Sequence, residues 1–300
     1  MSALSLNHTL SIKEKIGAFL SLLKIRLALL VVFSAAITYV MGTAGAFTWG
    51  KLWLLVLGGF LVTGGANGLN QVIERDTDKR MDRTRGRALP AGKLTVAESM
   101  IFCILTGLIG VAILGWQFNW FSASLGLASL LMYAFVYTPF KKINSFAVFI
   151  GAIPGAMPPL IGWAAVSGSL APEAWLIFAI QFMWQFPHFW SIAWVLDDDY
   201  NKGGFRLLPA KDGRSKQSAF HILVYSFTLL AVSAMVVRFD MANALTLAVV
   251  LLSGVYLVYK SIVLYKTLKV EDAKKLMFST FYYLPIVQVA LLLYTLFGKN

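Results

Sequence analysis

Between residues 27 and 297 the chain is a series of apolar stretches of about 20 residues separated by short polar connections. Each stretch is long enough to cross a hydrocarbon core of about 30 Å as a helix. The pattern predicts nine spans, near 27–46, 52–73, 96–116, 118–140, 143–167, 172–196, 219–237, 241–259 and 276–297. Inside lipid every backbone polar group needs an internal partner, which leaves helices or a closed barrel. The runs are continuous and do not alternate, which excludes the barrel. The expectation is an all-α integral membrane protein, one polytopic domain over 1–300 with an N-terminal arm over 1–23.

Composition agrees. The chain is 58% hydrophobic and 13% charged, with a mean hydropathy of +0.72, about half the charge of a soluble domain. The placement of that charge tests the topology. With the N-terminus inside, nine spans put the arm and the loops after spans two, four, six and eight on the cytoplasmic side. These five segments hold 23 of the 26 Lys and Arg, leaving Lys51, Arg238 and Lys299 outside. That is the positive-inside asymmetry, and the net charge of +12 reports topology and anionic lipid headgroups. The basic residues sit at helix ends and form no separate soluble face, so no nucleic-acid partner is expected. The arm has no short apolar core with a small-residue cleavage site, so no signal peptide is read. Its "IGAFLSLL" is expected to lie along the interface. Cys103 stands alone inside span three as an apolar filler.

Two inward loops are long, about 74–95 and 197–218, and hold eight of the 14 acidic residues. Both follow a span at the same face, four spans apart, which hints at a duplicated helical unit. In "NGLNQVIERDTDKRMDRTRGR", Asn70, Glu74, Asp78 and Asp82 are spaced by four and stack on one face if the helix continues. Three carboxylates on one face repel unless something positive lies against them. Hard oxygen ligands at this spacing suit Mg²⁺ shared with substrate phosphates. The following Lys79, Arg80, Arg83, Arg85 and Arg87 would take remaining phosphate charge. The competing reading is a solvated, salt-bridged helix end. Against it, Asn67, Asn70 and Gln71 lie within the span, where polar groups usually face a cavity.

Span six, "IQFMWQFPHFWSIAWVLDDDY", puts Gln181, Gln185 and His188 on one stripe, with Asp199 beneath His188 if the helix continues. This stripe is expected to line a cavity. Tyr137 and Lys141 share a face at the end of span four, and Lys142 sits beside them at the inner surface. Gly151, Pro154, Gly155, Pro158 and Pro159 should distort span five, or serve close packing. Thr95 with Glu98 forms a capping box at the start of span three.

Taken in order, "NQVIERDTDKRMDRT", "YTPFKK", "GAIPGAMPPLIGW", "WQFPHFW" and "DYNKGGFRLLP" resemble the intramembrane UbiA-type prenyltransferase superfamily, and within it the branch that farnesylates protohaem IX. The resemblance covers about residues 24–297. It implies nine transmembrane helices around a central cavity open toward the cytoplasmic side, with Mg²⁺ as cofactor. By matching motifs it implies Asn70, Glu74, Asp78, Tyr137, Lys141 and Asp199 as catalytic, with Asn70, Glu74, Asp78 and Asp199 holding the metal. Asp82, Arg83, Thr84, Arg87, His188 and Tyr200 follow as substrate-binding residues, joined by Lys142 and Gln185. Glu74 stands where most of the superfamily has Asp, and Ala88 where the branch usually has Pro. Asp197 and Asp198 have no counterpart and are possible helpers.

The implied reaction transfers farnesyl from farnesyl diphosphate to a vinyl group of haem B to give haem O. The implied setting is the inner membrane of a bacterium, with the active site on the cytoplasmic side. A terminal oxidase assembly or downstream haem-modifying proteins are the implied partners. Phe, Tyr and Trp rings would stabilise an allylic cation, with Tyr133, Tyr137, Phe182 and Trp184 as candidates. Two rivals remain: a quinone precursor or other aromatic acceptor, and, in another class, an ion-coupled transporter. The clustering of acids at one face argues against a relay through the bilayer.

Overall fold

The structure, a computed structural model, describes residues 11–298, so the first ten residues of the arm lie outside it. The elements in chain order are α1 (Ile12–Leu22), α2 (Ile25–Gly42), α3 (Trp49–Ile73), α4 (Arg75–Asp78), α5 (Val96–Gln117), α6 (Trp120–Leu131), α7 (Thr138–Phe140), α8 (Ala147–Ser167), α9 (Pro172–Val195), α10 (Asp197–Lys202), α11 (Lys216–Ala234), α12 (Ala244–Thr267) and α13 (Val270–Leu293). A π-type turn over Met132–Tyr137 joins α6 to α7 into one rod. Among the described residues, eight helices or rods are long and apolar enough to cross a membrane by length and composition. The ninth long helix, α9, has 24 residues, and its Gln181, Gln185, Pro187 and His188 keep it outside that apolar set. The last helix starts at Val270, earlier than its apolar stretch, because Glu271, Asp272, Lys274 and Lys275 continue the helix at its polar end.

Local signals explain the ends. Thr95 and Glu98 close the expected capping box, Glu98 N–H donating to Thr95 Oγ1 at 3.2 Å. Ser11 and Glu14 form a second one that starts α1. The "IGAFLSLL" segment does more than lie at the interface: Ala18, Leu22 and Leu23 are buried against α3 and α5.

The helices form two groups with separate apolar cores. One packs α1, α2, α3, α5 and α6, and the other α9, α11, α12 and α13, with α8 between them. Where the groups meet, polar side chains run across four helices. Ser34 Oγ donates to Gln288 Oε1 at 3.0 Å, Gln288 Nε2 to Gln181 Oε1 at 2.9 Å, and Gln181 Nε2 to the Gly155 carbonyl at 2.8 Å. That carbonyl is one that Pro159, four residues on, cannot satisfy. The Pro154 carbonyl, freed by Pro158, accepts from Ser129 Oγ at 3.2 Å. Span five is therefore not broken open as one reading predicted. It runs as a continuous α8, its prolines tolerated because neighbours supply the missing donors.

Small residues set the closest approaches. A Cβ on Gly65 would lie 2.8 Å from the Cys103 carbonyl oxygen and 2.8 Å from Gly107 N, so α3 and α5 touch backbone to backbone. Cys103 itself is buried and free, as expected. We expect Gly65→Ala to force this contact apart and destabilise the protein by about 1–3 kcal/mol. Thermal unfolding in detergent measures this, with exposed Gly50→Ala as the neutral control.

Candidate active site

Three of the five basic segments are joined to one another at one end of the bundle. Lys141 Nζ meets Glu74 Oε1 at 2.5 Å, Asp82 pairs with Lys202, and the Asp82 amide donates to Asp199 Oδ1 at 2.7 Å. At the opposite end Lys51 donates to the Gln117 carbonyl and Tyr294 to Asp240. These three basic loops thus share a face, as their charge predicted.

The site starts where α3 stops. Glu74 leaves helical geometry (φ −90°, ψ 3°), and the four-residue α4 then carries Asp78. The i→i+4 pattern survives this break, since the Glu74 amide donates to Asn70 O at 2.9 Å and the Asp78 amide to Glu74 O at 2.8 Å. Asn70, Glu74 and Asp78 are all buried. Each has a partner brought by another segment. Asn70 Nδ2 donates to Thr138 Oγ1 at 3.0 Å, Glu74 takes Lys141, and Asp78 Oδ2 accepts from Arg87 Nη1 at 2.8 Å. Thr84 is spent inside this turn, its hydroxyl donating to the Asp78 carbonyl at 2.9 Å. Lys141 lies 4.9 Å from the Tyr137 ring centroid and 5.5 Å from that of Phe205. Burial alone would lower the pKa of Lys141, but the Glu74 carboxylate, with Tyr133 and Tyr200, outweighs it and leaves the ammonium above its ordinary value.

Asp82 departs from expectation. The chain turns after Asp78, so Asp82 leaves the buried face and is more than half exposed, holding Lys202 and Arg85. Its carboxylate joins two loops and does not extend the acid array. Asp199 departs too. The α9 helix ends at Val195, and Leu196 breaks it (φ −103°, ψ 13°), so Asp199 does not sit beneath His188 on one continuous helix. Instead it reaches the 74–95 loop, while the Arg83 guanidinium stands 5.9 Å from the Tyr200 ring. The polar stripe on α9 is also occupied. Gln181 serves the carbonyl of α8, and Gln185 packs against Gly155. His188 Nδ1 bonds Thr280 Oγ1 at 2.9 Å while its ring stacks on Trp184 at 4.2 Å. Trp184 donates to the Thr280 carbonyl, so of the four ring candidates only Tyr133 and Tyr137, 5.3 Å apart, are placed beside Lys141 by these contacts. Lys142 is exposed. Asp198 pairs with Arg214, which caps the end of α9 by donating to the Trp194 carbonyl.

Thr138, Lys202 and Phe205 enter the site without having been singled out. Lys202 and Phe205 lie inside the quoted "DYNKGGFRLLP", and Thr138 inside "YTPFKK", so the motifs contained them.

The donor set suits a hard divalent cation in part. Among the described residues no three His, Cys, Asp or Glu side chains converge as a ready-made metal cluster. Glu74 and Asp78 are each turned to a cation of their own. Yet two buried carboxylate oxygens, Asp78 Oδ1 and Asp199 Oδ2, have no hydrogen-bond partner, and they belong to the two acidic loops that the Asp82–Asp199 bond draws together. Buried anionic oxygens without donors are costly unless a ligand completes them. Oxygen ligands with adjacent phosphate-binding cations fit Mg²⁺.

An all-helical bundle with paired acidic loops and adjacent cations at one end suits a membrane-embedded transferase that acts on a phosphate-bearing substrate. The sequence profile of the UbiA prenyltransferase family matches residues 30–284, and the chain belongs to that family. It is an integral, multi-pass prenyltransferase. It is 45% identical to the protohaem IX farnesyltransferase of Cytophaga hutchinsonii, the alignment covering 92% of this chain and 96% of the relative. It is 39% identical to that of Christiangramia forsetii, covering 92% of each. In fold it is similar to a digeranylgeranylglyceryl phosphate synthase (TM-score 0.79, 18% identity, 94% of this chain and 99% of the other). It is also similar to a UbiA homologue from Archaeoglobus fulgidus bound to GPP and Mg²⁺ (TM-score 0.67, 15% identity, 91% and 99%).

Because Asp82 and Lys202 act as one contact between loops, Asp82→Asn and Lys202→Met should lower kcat by similar amounts. The double variant should lose little more than either single one. Steady-state kinetics on the three proteins reads this, and additive losses would show separate roles.

Proposed function

We propose that the protein transfers the farnesyl group of farnesyl diphosphate to a vinyl group of haem B, forming haem O with Mg²⁺, at the cytoplasmic side of a bacterial inner membrane. The observation that carries this reading is the pair of buried, unpartnered carboxylate oxygens on Asp78 and Asp199, set at the same end of the bundle as Lys141 and Arg87. Two relatives called protohaem IX farnesyltransferase, at 45% and 39% identity, support the choice of haem and farnesyl. The cytoplasmic orientation rests on the inward concentration of 23 of the 26 Lys and Arg.

Bound Mg²⁺ supplies neutralisation of the diphosphate, and Asn70, Glu74, Asp78 and Asp199 are the residues that would hold it. Lys141 and Arg87, already positioned on Glu74 and Asp78, turn their donors to the departing diphosphate and stabilise the charge it gains. The allylic C1–O bond breaks and the diphosphate leaves with both electrons. Tyr133 and Tyr137 present ring faces to the positive charge left on the farnesyl chain. A vinyl carbon of haem then gives its π pair to C1. Water adds to the neighbouring carbon and loses one proton, so haem B, farnesyl diphosphate and water yield haem O and diphosphate. His188, held by Thr280 and Trp184, is assigned to the acceptor side.

Purified protein given haem B, farnesyl diphosphate and Mg²⁺ should yield a haem heavier by one farnesyl group and one hydroxyl group by mass spectrometry. Prenylation of a phenolic acid with haem left untouched would move the assignment to another aromatic acceptor. Chelation by EDTA should stop turnover. Asp78→Asn and Glu74→Gln should each reduce it by at least about a hundredfold while the protein level stays unchanged.

A further inference from the structure

Beside the carboxylate site lies a cavity of about 590 Å³, of whose lining the proposed chemistry uses only Arg87. Pockets for small ligands typically measure about 300–1,000 Å³. It sits between α1, the Gln71 turn of α3 and the loop after Arg83, and it adjoins the carboxylate site through Arg87 and Lys24. Four cations line it, Lys24, Arg83, Arg87 and Lys93, against one carboxylate, Glu14. Glu14 is engaged in capping α1, accepting from Ser11 N at 2.9 Å and Ser11 Oγ at 2.7 Å. Arg87 is committed to Asp78 and Arg83 stands over Tyr200. The ammonium groups of Lys24 and Lys93 have no ion-pair partner among the described residues.

Lys24 is unusual in three ways. Its backbone is left-handed (φ 48°, ψ 57°), a conformation that a side chain bearing a Cβ rarely adopts and that tends to persist where function requires it. Burial, then the neighbouring charges of Arg87 and Lys141, pushes its ammonium down to about 7 against the opposing pull of Glu74 and Asp78. It also borders a second, shallow opening lined by Leu20, Ile25 and Leu27, whose side chains face outward where the helices meet lipid. A polar, cationic cavity and an apolar opening thus share this lysine.

We propose that Lys24 and Lys93 bind the two carboxylates of an amphiphilic acceptor, whose apolar ring enters along the Leu20–Leu27 opening. This rests on the haem reading above, since haem B carries two propionates on an apolar macrocycle. A metal-bound diphosphate fits the cavity poorly, because its one carboxylate is already tied into a helix cap and cannot share a divalent cation. Compact ammonium groups suit separate carboxylates, which need point charges and no fork. An anionic lipid phosphate shares this chemistry.

The test compares KM for haem B, for its dimethyl ester and for farnesyl diphosphate, using wild type, Lys24→Met, Lys93→Met and the double variant in phosphatidylcholine nanodiscs. Wild type should favour the free acid over the ester by about tenfold, and the double variant should erase that preference. The KM for farnesyl diphosphate should not move, which also shows that the variants are folded. A preference that survives in the double variant, or a shift in the diphosphate KM instead, overturns the proposal. So does a preference that wild type shows only when phosphatidylglycerol is added, because the lysines would then be reading lipid. If wild type farnesylates no haem, the functional reading fails first. The pocket is then judged by absorbance titration of acid and ester alone, where equal affinity overturns it and a lysine-dependent preference for the acid upholds it.

Discussion

Glu74 and Asp78 are buried at the end of a membrane helix, and their charge must be matched from elsewhere in the chain. An ionised carboxylate removed from water is stable only when paired and hydrogen-bonded, and stripping one partner from a buried pair costs about 3–5 kcal/mol. Much of the local architecture follows from that need. Lys141 comes from the end of the α6–α7 rod, which places Tyr137 one turn before it and Thr138 against Asn70. Arg87 comes from only nine residues beyond Asp78, so the chain must fold back on itself directly after α4. Thr84 braces that return from inside. The same cations that make the empty-handed carboxylates tolerable are the ones a phosphate would need.

The two acidic loops share a construction. In each, a long helix ends, one residue leaves helical geometry, and a short acidic helix begins: Glu74 between α3 and α4, Leu196 between α9 and α10. Each belongs to a different helix group with its own apolar core. The hint of duplication in the sequence thus has a geometric counterpart, and the site forms where the two halves bring their loops together.

What could be read from the sequence was whatever depends on spacing along one element. The apolar period located the long helices, the capping box at Thr95 located a start, and i→i+4 spacing placed Asn70, Glu74 and Asp78 together. What could not be read depends on what a neighbouring helix lacks. Gln181 looks like a cavity-lining residue until Pro159 leaves the Gly155 carbonyl without a donor. Asp82 looks like a fourth member of the acid face until the chain turns back to deliver Arg87. Prolines in α8 look like breaks until Ser129 and Gln181 are seen filling their gaps.

These differences sort the site into a fixed part and a movable part. The inner contacts, Asn70 with Thr138, Glu74 with Lys141 and Asp78 with Arg87, are sheltered from water. The outer contacts between the two loops are of another kind. Asp82 with Lys202 is exposed, so water and salt screen it and it exchanges readily. Arg83 over Tyr200 is likewise at the rim. In the proposed reaction a charged, chain-bearing donor enters between loops that must afterwards exclude water from a cation. Weak pairs at the rim and strong pairs within suit such an order of events, since the outer pairs can be broken without disturbing the inner ones.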